Sequence, residues 1–319
     1  MSNAIARRIS DLEQYRPALT AQPDLDAFWE ETLRTAKDKP LNDSRVLTET
    51  PLAGIEAYKV EYEGFDRTRI HGWFVLPKNR AEGAKLPCVV LYHGYTGSKG
   101  YPEEYAQYAL MGMAAFAVDI RGQGGETGNL LEQTHGMTRG WVTQGILDRD
   151  AFYYKAIAVD AFKALDWAAG QTEVDPGRIC AMGGSQGGGL ALLAAALSDV
   201  PAAAVAHIPN MCHMDFGILN SSSSLTEAAD FLNRFPDKLD DVLRTLSYFD
   251  NMNLAHRIRI PLLVSVGLKD MVTMPETIFA AYNRIDSDKY IEVYPFQGHA
   301  VGGDQNRKAL EFMRSRLNF

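Results

Sequence analysis

The chain reads as an α/β protein, with a mostly parallel central sheet, an antiparallel N-terminal edge and helices on both faces. Three observations predict this. From residue 86 onward, short apolar runs alternate with helical stretches, and strands joined through helices assemble into a parallel sheet covered on both sides. Upstream, residues 45–79 alternate apolar and polar side chains, the period of half-buried antiparallel strands. Finally, 46% of the 319 residues are hydrophobic and 23% charged, which supplies a core and excludes disorder as the dominant state. A compact fold of this length buries roughly 75% of its unfolded surface.

Taken in order, residues 24–38 predict an amphipathic helix. Asp24 stands where a cap belongs, and Leu25, Phe28, Trp29 and Leu33 share one face. IEAYKVEYEG and TRIHGWFVLP predict antiparallel strands that turn near Phe65 and Asp66. The next strands are LPCVVLYH (86–93), AAFAVDI (114–120), RICAMGG (178–184) and AAAVAHI (202–208), apolar enough to be buried on both faces. PLLVSVG (261–267) and YIEVYPF (290–296) continue the series, with helices at 150–169, 186–197, 275–285 and 305–317.

Two segments interrupt the alternation. Residues 122–149 are rich in Gly, Thr and Gln; residues 210–256 are mixed polar and helical, with a serine run at 221–224. Both follow the C-terminal ends of predicted strands, where open α/β sheets bind ligands, so both are expected to wall a site. Length alone hints at two domains. The continuous pattern instead predicts one domain over 1–319, with an N-terminal helical extension to about residue 44 and these two insertions.

The formal net charge is −8, and no basic stripe of the kind that phosphate backbones require is present, so no nucleic-acid partner is expected. Cys88, Cys180 and Cys212 are too few and too scattered for a disulfide framework and are expected as buried free thiols. The first ten residues, MSNAIARRIS, contain no apolar signal core. The longest apolar stretch, Leu190 to Leu197, falls well short of the ~20 residues of a membrane span. A soluble, cytoplasmic protein with no membrane partner is the expectation.

The sharpest chemical signal is Gly183-Gly184-Ser185-Gln186-Gly187, a GxSxG string between a predicted strand and a predicted helix. That setting makes a nucleophile elbow. Glycines flank the serine because a sharp turn lets strand and helix approach only where Cβ atoms are missing. Ser185 would then stand at the sheet's C-terminal edge, on the positive end of a helix. A serine hydroxyl needs a base, and folds built around such an elbow supply acid and then base further along the chain. Asp270 follows PLLVSVGLK, and His299 follows the last predicted strand as the final histidine of the chain. Asp304 lies beyond His299 and is a poor rival as the acid. His207 and His213 precede any suitable acid; they, His71, His135 and His256 are read as structural or surface residues. The oxyanion needs two donors: the N–H of Gln186, and that of Tyr95 in the loop His93-Gly94-Tyr95-Thr96-Gly97 after the strand 86–93. His213 and Asp215 could offer two metal ligands but lack a third at useful spacing. There is no dinucleotide-binding glycine motif and no P-loop, so no metal or cofactor is expected.

At this point the chain resembles carbohydrate esterase family 7, the acetyl xylan esterases and cephalosporin-C deacetylases of the α/β-hydrolase fold. The likeness runs through Tyr15-Arg16-Pro17, FWEETL (28–33), Arg121-Gly122-Gln123-Gly124, RGWVTQGILD (139–148), GGSQGGG (183–189) and SVGLKD…FAAYN (265–283). It implies a triad of Ser185, Asp270 and His299, with Tyr95 and Gln186 forming the oxyanion hole. It implies deacetylation of short acetylated sugars such as xylo-oligosaccharides, and of cephalosporin C, by an intracellular homo-oligomer, a ring-shaped hexamer. Arg121 and Gln123 match the family's RGQ positions and are expected, with Gly183 and Gly187, to support the site by holding loops together. One departure is plain: Ala300 stands where the family usually has Glu directly after the catalytic histidine. Two other readings stay open at this stage. A peptidase or acyl-peptide hydrolase would use the same triad, though such enzymes often carry a large separate β-domain. A non-catalytic binding protein on this fold would usually have lost a triad member, and none is lost here.

Overall fold

Buried residues alternate between the two faces of every central strand, and that alternation builds the molecule. A computed structural model of the chain describes residues 3–136 and 140–319. Residues 1–2 and 137–139 lie outside them, including Arg139 of the motif 139–148 and part of the insertion expected at 122–149. Nine strands form one sheet: β1 (Ser44–Thr48), β2 (Ile55–Glu63), β3 (Arg69–Pro77), β4 (Leu86–Tyr92), β5 (Ala114–Val118), β6 (Val174–Gly184), β7 (Ala203–His207), β8 (Leu262–Gly267) and β9 (Lys289–Tyr294). Their order is β1-β2-β3-β5-β4-β6-β7-β8-β9. The pairs among β1, β2, β3 and β5 are antiparallel; every pair from β5 through β4 to β9 is parallel. The α/β-hydrolase fold expected from the sequence is therefore the fold observed, antiparallel edge included.

Along the central strands Cys88, Val90, Phe116, Ile179 and Ala181 face one helical layer. It contains the helices Leu25–Asp38, Tyr153–Ala169 and Gln186–Leu197. Val89, Ala115, Cys180 and Val205 face the opposite layer, where the helices Ala106–Leu110 and Gly303–Arg316 pack. Helix Gln186–Leu197 is buried almost all round, as its unbroken glycine, alanine and leucine sequence requires. All three cysteines are free and buried.

Several boundaries differ from the sequence expectation for identifiable reasons. Asp24 precedes its helix but makes no side-chain cap; its carboxylate instead accepts hydrogen bonds from Arg149 (2.6 Å) and Tyr248. β6 begins at Val174 rather than 178, because Val174 already pairs with Leu86 of β4, the register then shifting before Cys88 pairs with Ile179. Within the N-terminal extension expected to be helical, a second helix, Ala4–Glu13, precedes the one at Leu25–Asp38 and is capped by the Asn3 side chain. It docks through Asn283, whose amide donates to the carbonyls of Leu12 (2.8 Å) and Tyr15 (2.9 Å). The 210–256 insertion folds as the helices Met214–Asn220, Thr226–Arg234, Leu239–Ser247 and Asn251–Leu254. The described part of the 122–149 insertion consists of turns and irregular chain.

Strand order places the functional region. β4 lies between β5 and β6, so the chain leaves β4 toward one side of the sheet and returns past it to the other. Such a reversal opens a crevice beyond the strand ends. The loop after β4 and the turn after β6 meet there.

Candidate active site

Ser185 occupies the turn between β6 and helix Gln186–Leu197, with φ 56° and ψ −118°. A non-glycine residue held there costs about 1–3 kcal/mol and persists only where its surroundings enforce it. Three backbone hydrogen bonds do so. The Ser185 N–H donates to the His207 carbonyl (2.9 Å), and the Ser185 carbonyl accepts from the N–H groups of Gly189 (3.0 Å) and Asn210 (2.9 Å). The flanking glycines are sterically required. A Cβ on Gly183 would lie 2.3 Å from the Gly187 backbone, and one on Gly187 would lie 2.0 Å from the Tyr92 carbonyl oxygen. The strand-to-helix turn can be this tight only without those atoms.

His299 and Asp270 come from the loops after β9 and β8. His299 Nε2 is 3.0 Å from Ser185 Oγ, and His299 Nδ1 is 2.8 Å from Asp270 Oδ2. The Asp270 side chain is fully buried, while that of His299 is partly exposed. Burial pushes the Asp270 carboxyl up. The hydrogen bonds from His299, from the N–H of Val272 and from Thr273 outweigh it, and hold the group below the ordinary carboxylate value. Its Oδ1 accepts the N–H groups of Val272 (2.8 Å) and Thr273 (3.0 Å), and its Oδ2 accepts the Thr273 hydroxyl (2.9 Å). An ionised Asp270 accepts the Nδ1 proton, which leaves Nε2 free to accept from the serine hydroxyl. Asp304 lies outside this line, bonded to Tyr294 (3.0 Å) and Lys308 (3.4 Å).

The loop after β4 runs beside the serine. A Cβ on Gly94 would lie 3.8 Å from Ser185 Cβ, so the Gly94–Tyr95 peptide passes close to the hydroxyl. Gln186 opens the helix, where the first N–H groups have no intrahelical acceptor. Gln123 joins these two segments. Its Oε1 accepts the Thr96 N–H (2.8 Å), and its Nε2 donates to Gln186 Oε1 (3.1 Å) and to the Tyr153 hydroxyl (3.0 Å). Arg121 works further back. Its fully buried guanidinium grips Asp160 at 2.6 and 2.8 Å and Asp66 at 3.1 Å, tying the β2–β3 turn to helix Tyr153–Ala169. Burial disfavours that charge, but the two carboxylates hold the group firmly protonated.

Several participants escape sequence reasoning. His93 Nε2 accepts the Ile120 N–H (2.8 Å), so its Nδ1 carries the proton and donates to the Gly94 carbonyl (2.7 Å). That bond orients the peptide whose N–H belongs to Tyr95. The serine run braces the acid loop: Ser221 Oγ donates to the Val272 carbonyl (2.8 Å) and the Ser222 N–H to that of Met271 (3.1 Å). Glu227 accepts the Tyr95 hydroxyl at 2.7 Å. The only forward signal was that Ser221, Ser222 and Glu227 fall in an insertion expected to wall the site. His213 and Asp215 pair with each other at 3.4 Å, and among the described residues no three His, Cys, Asp or Glu side chains gather as a metal site.

A serine on a strained elbow, at the reversal point of a doubly covered sheet, defines the chain as an α/β-hydrolase. Comparison with known proteins narrows this. The acetyl xylan esterase (AXE1) family model matches residues 3–316. An acetyl xylan esterase from Paenibacillus sp. R4 is 40% identical, with a TM-score of 0.94 over 97% of this chain and 99% of that one. Acetyl xylan esterase 1 from Thermoanaerobacterium sp. JW/SL YS485 is 29% identical, with a TM-score of 0.90 over 96% and 98%. The acetyl esterase Axe7A of Xylanibacter ruminicola is 27% identical over 315 residues, 96% of this chain and 70% of that protein. The chain belongs to the acetyl xylan esterase family, as its motifs led one to expect.

Proposed function

We propose that this chain is a serine esterase that removes acetyl groups from small acetylated sugars, xylo-oligosaccharides above all, and from related esters such as cephalosporin C. The observation that carries the mechanism is the hydrogen-bonded line from Ser185 Oγ to His299 Nε2 (3.0 Å) and from His299 Nδ1 to Asp270 (2.8 Å). Family membership supports the substrate class.

Ser185 Oγ attacks the acetyl carbonyl while His299 Nε2 takes its proton, and Asp270 stabilises the imidazolium so formed. The N–H groups of Tyr95 and Gln186 receive the oxyanion, aided by the positive end of helix Gln186–Leu197. His299 returns its proton to the departing sugar oxygen as the ester C–O bond breaks. Water, deprotonated by His299, then attacks the acetyl-enzyme, releasing acetate and restoring Ser185. Because Asp270 is held below the ordinary carboxylate range, it keeps its charge through neutral and mildly acidic pH. The mechanism asks for no metal or cofactor. The three buried free thiols suit a reducing, cytoplasmic setting. The family's hexamer is the assembly we expect.

The test is acetate release from acetylated xylo-oligosaccharides and hydrolysis of p-nitrophenyl acetate by wild type and Ser185→Ala. Loss of about 10⁴–10⁶ in kcat is expected. Activity retained in the variant would refute the assignment.

A further inference from the structure

We infer that Glu227 is a positioning residue for the oxyanion-binding loop, acting through the side chain of Tyr95; the inference rests on the esterase reading above. An oxyanion donor works only when its N–H sits about 2.7–3.1 Å from the developing charge. The Tyr95 peptide is held on its backbone side by His93, through the Gly94 carbonyl, and by Gln123, through the Thr96 N–H. On its side-chain side the phenol is clamped by two further contacts. The hydroxyl donates to Glu227 Oε2 (2.7 Å) and accepts the Trp141 N–H (2.9 Å). The ring meets Trp141 edge-on at 5.4 Å.

Glu227 is buried, and the same Oε2 takes the Val142 N–H at 3.1 Å. Gly140, with φ +54°, wraps so closely that a Cβ there would lie 2.0 Å from Glu227 Oε1. One carboxylate therefore joins the 210–256 insertion, the 122–149 insertion and the loop that bears the oxyanion donor. Burying a carboxylate is costly unless its oxygens are bonded, and here one of its bonds is to the side chain of that donor residue. Burial and Glu227 both push the Tyr95 phenol up, so its hydroxyl stays a donor at every working pH.

The experiment measures kcat and KM for p-nitrophenyl acetate, per active site titrated with a fluorophosphonate. Tyr95→Phe keeps the backbone N–H but loses both phenol hydrogen bonds; Glu227→Ala removes the acceptor. Each should lower kcat about 10- to 100-fold, the scale of a misplaced catalytic group, with KM within about twofold. Glu227→Gln should recover most of that loss, because one amide oxygen can still accept from both Tyr95 and Val142. The double variant Tyr95→Phe/Glu227→Ala should be no slower than the slower single variant, since both act through one contact. Wild-type kcat in the two single variants, a loss carried wholly by KM, or losses that multiply would each overturn the inference. If Glu227→Ala does not fold, Tyr95→Phe alone decides it on the same kcat criterion. Retained activity in Ser185→Ala would instead sink the esterase reading itself, whatever Glu227 does.

Discussion

His207 holds the elbow from below: its carbonyl accepts the Ser185 N–H, while its ring is sealed beside Ser265 and Gln305. Burial pushes its imidazole down to about 4. An unfolded chain takes up this proton near the ordinary value of about 6.5, so the unfolded state binds more protons than the folded state between those values. Stability contributed by neutral His207 is thus complete above about pH 6.5 and is lost as pH falls toward 4, to an extent on the order of 3 kcal/mol. Asp250 opposes this, because burial raises it to about 6; its contribution is lost as pH rises through that value. Urea unfolding at several pH values separates them. Wild type should lose stability relative to His207→Asn between pH 7 and 4.5, and equal pH slopes would contradict the account. Sequence order alone removed His207 from the catalytic role. Its support of the elbow was not legible, since that depends on β6 and β7 being neighbours.

At the scale of elements, the strand–turn–helix around Ser185 was the most legible feature, because its steric needs are local. Gly187 shows why. A methyl group there would overlap the Tyr92 carbonyl at 2.0 Å, and neither backbone can yield without parting β4 from the helix. Gly187→Ala should destabilise the fold by about 3 kcal/mol or more, read as a lower midpoint in chemical denaturation; a variant as stable as wild type would show that the turn is looser than described. The strands 86–92, 114–118, 203–207 and 262–267 were equally legible, because continuous apolar runs mark burial on both faces. For helix Ala4–Glu13, only a helical extension was expected; its bounds and its docking were not legible. Leu12 is its one buried residue, and Asn283, which anchors its end, lies more than 260 residues away. Glu227 was hidden for the same reason. A glutamate on an amphipathic helix gives no sign of the tyrosine, 132 positions upstream, that its carboxylate accepts from.

Across the whole molecule, the fold puts the candidate site beyond the C-terminal ends of the neighbouring strands β4 and β6, and both insertions close on that point. The 122–149 segment contributes Gln123, Trp141 and Val142; the 210–256 segment contributes the serine brace on the Asp270 loop and the Glu227 clamp on Tyr95. Length that hinted at two domains is spent on these walls around a single sheet. The proposed mechanism requires that substrate carbon becomes bonded to one atom, Ser185 Oγ. The most direct test is acid quenching during turnover of p-nitrophenyl acetate, followed by mass spectrometry of the proteolysed enzyme. One acetyl group on the peptide bearing Ser185, present during turnover, gone after substrate is exhausted and missing in Ser185→Ala, is the predicted result. Rapid turnover with the acetyl group on another residue would contradict it.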